Sequence, residues 1–569
     1  GTAGSVVANR LTEAANVNVL LIEAGPLDSD QTLQVPGLDN KLSPKTPFDW
    51  NDTTVSQAAL KGRSLDFVHG HVLGGSSSIN FLAYTRPSSD DMDRLAEFTG
   101  DSGWSWTSMR RYFDKVIISI TPERHVESAD RHDTHDQFLP SAHGSNGRIL
   151  TSLPGFPTDL DHRILATAAE LNSTFPFNID MNKGSPLGVG WLHSSIGNST
   201  RSSASTAYLH PFMDRQNLHI LVGTQATRLL PIRSSNGTLD FRGVEFAAGS
   251  AAQVFRKAAA KEIILSAGAT RTPQLLLLSG LGNKDTLKSH GITSAVDLPD
   301  VGKRLQDHPF VPFQWLVNST LTFDSIVQNP TLSEDTFNQY STNGTGFLVS
   351  GLANHLAFLR VPPSTFRHGT DTSSGPKSPH VEFAFCNGFV TTAQEVPSTG
   401  NYLTIALVLL SPASAGSVSL STAFPFDSPR VDPAFLSNRV DLDVIIEGAR
   451  AMKSFLAASP WKGYIVAPYV AAANTTTDIG MEQYIRRFAT SIRHATGTAY
   501  ASKFQDNFGV TNPDLTVKKT LGLRIVDASI LPYPVSVHPQ ATVYGLRNVE
   551  LISSRQNMAY KLCQWKYVT

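Results

Sequence analysis

Short apolar runs next to glycine turns occur at three separated places in the chain. Residues 1–13 have a helical pattern after a glycine-rich start, and the alternating run Val17–Glu23 predicts a strand. Residues 261–280 predict a strand, a glycine turn and a helix that is capped near Thr272. Residues 522–546 predict a last strand followed by a helix. This order of strands and helices favours an α/β domain.

The segments 91–199 and 301–494 have a different pattern. Leu403–Leu410 is a continuous apolar run typical of a buried strand, Ser417–Ser421 is also strand-like, and Val440–Ala457 has a helical pattern. These segments predict a second layer, an α+β domain built on an antiparallel sheet with helices. A chain of 569 residues is expected to form two or more domains, which agrees with this division.

Composition and charge exclude several function classes. A net charge of −1 and a pI near 7.1 provide no electrostatic footprint for nucleic acid. No apolar stretch approaches the roughly 18 residues that a membrane span needs. Two cysteines, Cys386 and Cys563, are too few for a disulfide framework or a Cys-based metal site, and they either pair with each other or remain two buried thiols. The sequence predicts no metal site and no membrane or nucleic-acid partner.

Sequons for N-glycosylation favour a secreted protein, although a chain rich in Asn, Ser and Thr produces some by chance. They begin at Asn51, Asn172, Asn198, Asn236, Asn318, Asn343 and Asn474. The predicted location is therefore extracellular.

Two long glycine-containing motifs carry the strongest signal. In Gly70–Pro87, the glycines Gly74 and Gly75 are followed by three serines, so the backbone can lie flat against a ligand. Such a stretch alone is more often a plain turn. However, it resembles the first signature of the glucose-methanol-choline (GMC) family of flavin oxidoreductases, and Ser266–Gly282 resembles the second. The resemblance implies an FAD-binding Rossmann-like domain and a separate substrate domain.

The start of the chain resembles part of a dinucleotide fingerprint. Glu23 follows Gly4 by 19 residues, where such folds place the carboxylate that binds the adenosine ribose. A capped surface helix and an exposed glutamate are the alternative. The fingerprint normally follows a strand and a first glycine, which are expected before Gly1. We therefore expect the chain as written to bind FAD poorly and to aggregate.

The resemblance implies domain boundaries and a set of flavin contacts. It assigns residues 1–90, 200–300 and 495–569 to a discontinuous FAD-binding domain, and residues 91–199 and 301–494 to the substrate domain. The implied FAD contacts are Gly1, Thr2, Ala3, Gly4, Glu23, Val72, Gly74, Gly75, Ser76, Asn80, Phe81, Leu82, Ala83, Ala226, Asp527, Ala528, Pro539 and Gln540.

Two histidines are the predicted catalytic residues. A lone histidine is usually structural, but His494 and His538 occupy positions of active-site residues in the family. Alcohol oxidation needs a base near neutral pH to take the hydroxyl proton while hydride leaves the neighbouring carbon for the flavin. The resemblance implies that His494 is this base and that His538 orients the alkoxide.

Within the family, the likeness is greatest to the aryl-alcohol oxidase branch. Ser152–Glu170, Phe48–Asn51 and Ala353–Arg360 all resemble that branch. The likeness implies a monomer with noncovalent FAD that oxidises primary benzylic or conjugated alcohols to aldehydes and reduces oxygen to hydrogen peroxide. Asn80 stands near the position where some relatives carry a flavin-linking histidine, so no covalent link is expected there.

Several positions depart from that branch and leave the detail open. His71 and Phe81 differ from the residues usual there, and Phe389 is a candidate for the access channel. Arg493 replaces an aromatic residue that guards the pocket. One possibility is that Arg493 faces solvent or forms a structural ion pair. The other is that it points into the pocket, where it would lower the pKa of His494 or bind a carboxylate on the substrate.

Two further interpretations remain open. A sugar (pyranose or glucose) dehydrogenase of the same family, with quinone acceptors in place of oxygen, has the same pair of histidines. A catalytically silent member, truncated at its start, fits the departures and the unusual tail Cys563–Thr569. A visible spectrum would identify the silent member, and peroxide assays would distinguish the two enzymes.

Overall fold

A computed structural model describes residues 1–119, 137–143, 147–232, 237–391, 394–469 and 475–546. The helices are α1 (Thr2–Leu11), α2 (Ser89–Thr99), α3 (Trp106–Val116), α4 (Asp161–Glu170), α5 (Ala204–Tyr208), α6 (Gly268–Leu278), α7 (Lys284–Ser289), α8 (Phe323–Gln328), α9 (Pro330–Asn343), α10 (Arg439–Leu456), α11 (Asp478–Phe488) and α12 (Gln540–Gly545). None of the helices in these ranges combines the length and apolar character that crossing a bilayer requires.

The strands are β1 (Val19–Ile22), β2 (Ile117–Ser119), β3 (Ile149–Thr151), β4 (Gly188–Trp191), β5 (Ile196–Gly197), β6 (Thr200–Arg201), β7 (Leu218–Leu221), β8 (Gln225–Ile232), β9 (Asp240–Ala247), β10 (Phe255–Ala258), β11 (Ile263–Leu265), β12 (Leu281–Gly282), β13 (Val296–Asp297), β14 (Lys303–Leu305), β15 (Pro309–Val317), β16 (Ala353–Leu359), β17 (Val381–Cys386), β18 (Tyr402–Leu409), β19 (Gly416–Ser419), β20 (Arg430–Asp432), β21 (Ile465–Pro468), β22 (Thr490–Ser491) and β23 (Leu523–Ile525).

The largest sheet is antiparallel, with the order β21-β15-β18-β17-β16-β4 and with β22 paired to β15. Every residue of β18 is buried, because α10 packs on one face of the sheet and the opposite face is also covered. Each fully buried Leu or Ile in this core contributes roughly 1.5–3 kcal/mol. All these strands come from the two segments that the sequence assigned to the substrate domain, although the exact boundaries stay a prediction.

The α/β layer contains two parallel strand pairs. β1 pairs with β7, and β11 pairs with β23, and the strand edges of β1 and β11 both border one large cavity. α1 follows directly on the chain start and α6 follows β11, so the N-terminal ends of both helices also lie at this cavity. The predicted fold class is therefore confirmed.

The start of α6 differs from the prediction. The helix begins at Gly268 and not near Thr272, and Pro273 lies inside it. Proline has no N–H for the carbonyl of Ala269, but the Thr498 hydroxyl donates to that carbonyl at 2.6 Å. The Thr272 hydroxyl donates to Asp527 at 2.6 Å and does not cap the helix. A side chain from another segment thus satisfies the carbonyl that the internal proline leaves without its helical partner.

Some predictions fall outside the described residues. These are the sequons at Asn236 and Asn474, residue Cys563 and the tail after it. Cys386 is buried as a free thiol, and burial raises its pKa to about 12.

Candidate active site

A single cavity of about 2130 Å³ lies between the two layers. Ordinary ligand pockets span roughly 300–1,000 Å³, so this cavity has room for a dinucleotide and a substrate together. Of the predicted cofactor, catalytic and pocket residues, those that line it are Gly1, Thr2, Ala3, Gly4, Glu23, Gly75, Ser76, Asn80, Phe81, Leu82, Ala83, Ala226, Phe389, Arg493, His494, Asp527, Ala528, His538, Pro539 and Gln540.

Two of the predicted cofactor residues do not line this cavity. Val72 is completely buried in a small apolar cluster, where its side chain fixes the loop. Gly74 has φ 88°, and its carbonyl accepts hydrogen bonds from Thr2 and Ser77. Both residues shape the glycine loop from the side that faces away from the cavity. The sequence motif alone does not distinguish residues that support the loop from residues that contact the cofactor.

The helix start at one end of the cavity suits a phosphate group. α1 has no side-chain cap and no acidic residue in its first turn, so its first N–H groups are available for an anion. Gly75 packs directly against the helix start, since a Cβ atom there would lie 2.6 Å from the Cα of Gly1. Glu23 lines the same region, and one of its carboxylate oxygens accepts a hydrogen bond from the backbone N–H of Gly25 at 3.0 Å. This set of groups fits the pyrophosphate and a ribose of a dinucleotide.

Polar side chains in the middle of the cavity are fixed by contacts with the protein. Asn80 donates to the side-chain oxygen of Gln540 and accepts from Arg201 at 2.7 Å. The amide nitrogen of Gln540 is buried without a partner among the described residues. Asp527 accepts from the backbone N–H of Gly268 at 3.0 Å and shapes the turn at Ala528. The free amide donor indicates a ligand with acceptor atoms at this position.

The two predicted catalytic histidines meet in this cavity. The ring centroids of His494 and His538 are 4.9 Å apart, with an angle of 71° between their planes. His538 donates from Nε2 to Oε1 of Glu382 at 2.9 Å, and Glu382 is completely buried on β17. The carboxylate of Glu382, on a strand of the large sheet, therefore holds the ring of His538 in place. The sequence motifs did not identify Glu382.

A third histidine, His308, was also missed by the sequence analysis. Its Nδ1 lies 3.0 Å from Nδ1 of His494, so one of the two rings donates to the other. Burial lowers the pKa of His494 well below its ordinary value, and the neighbouring His538 and His308 lower it further. Burial also lowers the pKa of His308 to about 3. Both rings are therefore neutral near pH 7. The only sequence signal is the pair Asp307–His308 directly before the apolar strand β15.

Asp307 fixes the backbone that carries His494. Its carboxylate accepts from the N–H of His494 at 2.7 Å and from the Ser491 hydroxyl, and Ser491 in turn accepts from the N–H of Arg493 at 2.8 Å. Burial raises the pKa of Asp307 to about 6. The turn places Arg493 at φ 74°, a left-handed conformation that is strained for a non-glycine residue.

Comparison with known proteins identifies the family. The model of the N-terminal part of GMC oxidoreductases matches residues 51–310, and that of the C-terminal part matches residues 412–546. The chain belongs to the GMC oxidoreductase family. Members and structural neighbours are FAD-binding flavoproteins, so this GMC oxidoreductase uses FAD and acts on CH–OH groups.

Several relatives of this GMC oxidoreductase are similar over almost the whole chain. It is 37% identical to "Dehydrogenase eriK" of Hericium erinaceus, covering 96% of this chain and 91% of that protein. It is 35% identical to pyranose dehydrogenase 3 of Leucoagaricus meleagris, covering 96% and 90%. Sequence analysis placed the chain nearest to aryl-alcohol oxidase, whereas these relatives are named as dehydrogenases.

Solved structures share the fold. A formate oxidase of Aspergillus oryzae superposes with a TM-score of 0.88 at 27% identity, covering 98% of this chain and 97% of that chain. A fungal aryl-alcohol oxidase superposes with a TM-score of 0.80 at 26% identity, covering 98% of each chain. These neighbours act on different substrates, so the fold alone does not fix the substrate of this GMC oxidoreductase.

Two aromatic residues, Phe81 and Phe389, line the same cavity as the histidines. Phe81 lies under Arg493, with the guanidinium carbon 5.3 Å from the ring centroid. Phe389 packs edge-on against Tyr402 and Tyr469, each at 5.0 Å or less from centroid to centroid. His71 does not line the cavity and instead packs against Trp50 at 4.4 Å. Phe81 and Phe389 thus both line the cavity, whereas His71 has a structural contact.

One group of side chains outside this wall has metal-ligating atoms close together. Ligand atoms of His143, Asp180 and His193 all lie within 4.8 Å of one another, and His143 is 2.7 Å from Asp180. The hydrogen bond between His143 and Asp180 explains their approach, and it lowers the pKa of Asp180. The prediction of no metal site stays a prediction.

Proposed function

We propose that this GMC oxidoreductase oxidises primary aromatic or conjugated alcohols to aldehydes. The observation that carries the proposal is the pair of imidazoles, 4.9 Å apart, in one cavity with a largely apolar wall. The apolar residues that line this cavity include Phe81, Phe389 and Ile492. An aromatic ring can pack against these residues, whereas a sugar would need several hydrogen-bond partners for its hydroxyls.

His494 accepts the hydroxyl proton in this proposal. Its lowered pKa keeps the ring neutral near pH 7, so a lone pair is available. If His494 donates from Nδ1 to His308, its Nε2 is the basic atom. Loss of the O–H proton to His494 accompanies transfer of a hydride from the same carbinol carbon, and the C–O bond becomes the aldehyde C=O.

His538 orients the alcohol oxygen. Glu382 holds His538 through a charge-assisted hydrogen bond, so the ring keeps one orientation towards His494. A ring held in one orientation beside the base lowers the entropy cost of reaching the reactive geometry. The proposal therefore gives the two histidines different roles.

FAD, when bound, supplies the hydride acceptor. The helix start of α1, Glu23, Asn80 and the turn at Asp527 would hold it, and the free amide of Gln540 would donate to it. Asn80 offers no nucleophile and is already engaged by Arg201, which supports noncovalent binding.

The electron acceptor defines a second candidate. Two of the relatives described above are named as dehydrogenases, and one of them acts on pyranoses, so a sugar dehydrogenase with quinone acceptors is the alternative. We favour oxygen as the acceptor and hydrogen peroxide as the product, in line with the aryl-alcohol oxidase branch.

A direct comparison of substrates tests this proposal. The FAD-loaded protein is mixed anaerobically with 4-methoxybenzyl alcohol or with glucose, and loss of the oxidised flavin absorbance is followed. The proposal expects fast bleaching by the benzylic alcohol and peroxide formation in air. Bleaching by glucose alone, with turnover only on added benzoquinone, would identify the sugar dehydrogenase.

The remaining proposals concern location and assembly. We propose a secreted glycoprotein, because of the sequons, and a monomer. A mass loss on treatment with endoglycosidase and a monomer mass in light scattering are the expected results.

A further inference from the structure

Arg493 is a charged residue of the cavity wall. It directly precedes His494, and the side chains of both residues line the same cavity. Its guanidinium donates from one terminal nitrogen to the Ser43 hydroxyl at 2.8 Å and lies over Phe81. The left-handed backbone at Arg493 is held by the hydroxyl of Ser491. The turn that positions His494 thus also fixes this cation.

The positive charge of Arg493 has no close carboxylate partner. Among the described residues, no carboxylate oxygen lies within 4.0 Å of its guanidinium, so a structural ion pair is not its role. The bond to Ser43 uses one of the five N–H donors of the group. A cation that is largely removed from water and not paired is unfavourable, which points to a ligand that supplies the missing charge.

The acidic residues nearby act on Arg493 only at longer range. They are Asp39, Asp49, Asp66 and Asp307. Asp39 is completely buried, neither of its oxygens has a hydrogen-bond partner among the described residues, and burial raises its pKa to about 7. Asp307 already accepts from the N–H of His494. None of these carboxylates therefore forms a direct ion pair with the guanidinium of Arg493.

We propose that Arg493 binds a carboxylate carried by the alcohol substrate, so that the enzyme prefers aromatic alcohols with an acid group. This inference rests on the proposed function, since it places the reacting alcohol at His494. A guanidinium offers two parallel N–H groups to a carboxylate, which gives both affinity and orientation. Phe81 beneath it supplies an apolar surface for the ring that carries the acid.

Two alcohols of equal size test the preference. 4-(Hydroxymethyl)benzoate and 4-(hydroxymethyl)benzamide differ in charge but not in the reacting group. For the wild-type holoenzyme, kcat/KM is expected to be higher for the acid. In Arg493→Gln, the ratio of acid to amide should fall by about 30-fold or more, the scale for removing one partner of a desolvated charge pair.

A matched control is available on the neighbouring helix. Arg487 is exposed and lies over Phe488 at 5.2 Å, nearly the distance of Arg493 from Phe81. Arg487→Gln removes the same charge and the same kind of ring contact outside the cavity. The ratio of acid to amide should not change in this variant. A fall in both variants would show a general charge effect and overturn the inference.

A binding measurement separates this inference from the proposed function. Calorimetric titration of the holoenzyme with 4-methylbenzoate and 4-methylbenzamide needs no turnover. Binding of the benzoate that is lost in Arg493→Gln and kept in Arg487→Gln supports the site even if neither alcohol is oxidised. If both alcohols are oxidised without preference, or the ratio persists in Arg493→Gln, the inference is wrong. If Arg493→Gln loses its FAD, Arg493→Lys is the deciding variant, and it should retain part of the preference.

Discussion

Burial sets the protonation states of the residues around the base. The pKa of His494 and that of His308 are lowered, because a charged imidazole loses its hydration in the core. The pKa values of Asp307 and Asp39 are raised for the same reason. Neutral imidazoles therefore lie where the alcohol proton leaves, and the Asp307 carboxylate beside them has a raised pKa.

Glu382 is predicted to act by positioning His538. Glu382→Gln keeps the size of the side chain but removes the negative charge that accepts from Nε2. We expect kcat for the alcohol to fall between about 10-fold and 100-fold, because a displaced His538 no longer orients the substrate oxygen. FAD content should stay at the wild-type level. Glu482→Gln, which removes surface ion pairs with Arg439 and Arg486, is the control and should keep full activity.

Asp39 is predicted to make stability depend on pH. Its folded-state pKa of about 7 lies above the ordinary value of 3.8, so the folded protein holds this proton more tightly than the unfolded chain. The contribution of Asp39 to the free energy of unfolding is therefore most favourable at low pH, and it is lost as pH rises towards 7. Asp39→Asn should raise Tm more at pH 8 than at pH 4.5. Asp214→Asn, at an exposed site, should show no such difference, and an equal response of both variants would contradict the assignment.

Glycine turns and helix starts are the elements that build the cofactor end of the cavity. The sequence predicted α1, β1, β11, β18 and α10 closely, because local apolar patterns determine them. The early start of α6 was not predicted, since it depends on the distant Thr498. Val72 and Gly74 belong to the motif but support it from outside the cavity. Local sequence therefore predicts elements better than it predicts contacts between them.

The close approach of Gly75 to α1 is predicted to be essential for FAD binding. In Gly75→Ala, the new Cβ would lie 2.6 Å from the Cα of Gly1, and φ 61° is also unfavourable for alanine. FAD affinity should fall by more than about 10-fold, because the loop and the helix start must separate. Gly463→Ala is the matched control, with φ 79° and no heavy atom within 4 Å. It should lose roughly 1 kcal/mol of stability and keep its FAD. Equal FAD loss in both variants would reject the packing explanation.

At the scale of the whole molecule, the active site is formed by segments far apart in the sequence. His494 follows β22, His308 precedes β15, Glu382 lies on β17 and His538 precedes α12. The motif positions predicted His494 and His538, but His308 and Glu382 reach them only through the order of strands in the large sheet. No local sequence pattern predicts the order of strands in a sheet, so His308 and Glu382 could be identified only from the structure.

We predict that FAD binds in the cavity between the layers without a covalent bond to the protein. Acid precipitation of the yellow holoenzyme should leave the chromophore in the supernatant, because Asn80 provides no nucleophile. Added FAD should also raise the Tm of protein from which it has been removed, since only the folded state binds it. A pellet that stays yellow after washing would contradict noncovalent binding.

The most direct test of the central claim is anaerobic stopped-flow mixing of holoenzyme with 4-methoxybenzyl alcohol. The account predicts that His494→Ala binds FAD as the wild type does but is reduced at least ~100-fold more slowly, the scale for a lost general base. Reduction of His494→Ala at the wild-type rate would show that His494 does not take the alcohol proton.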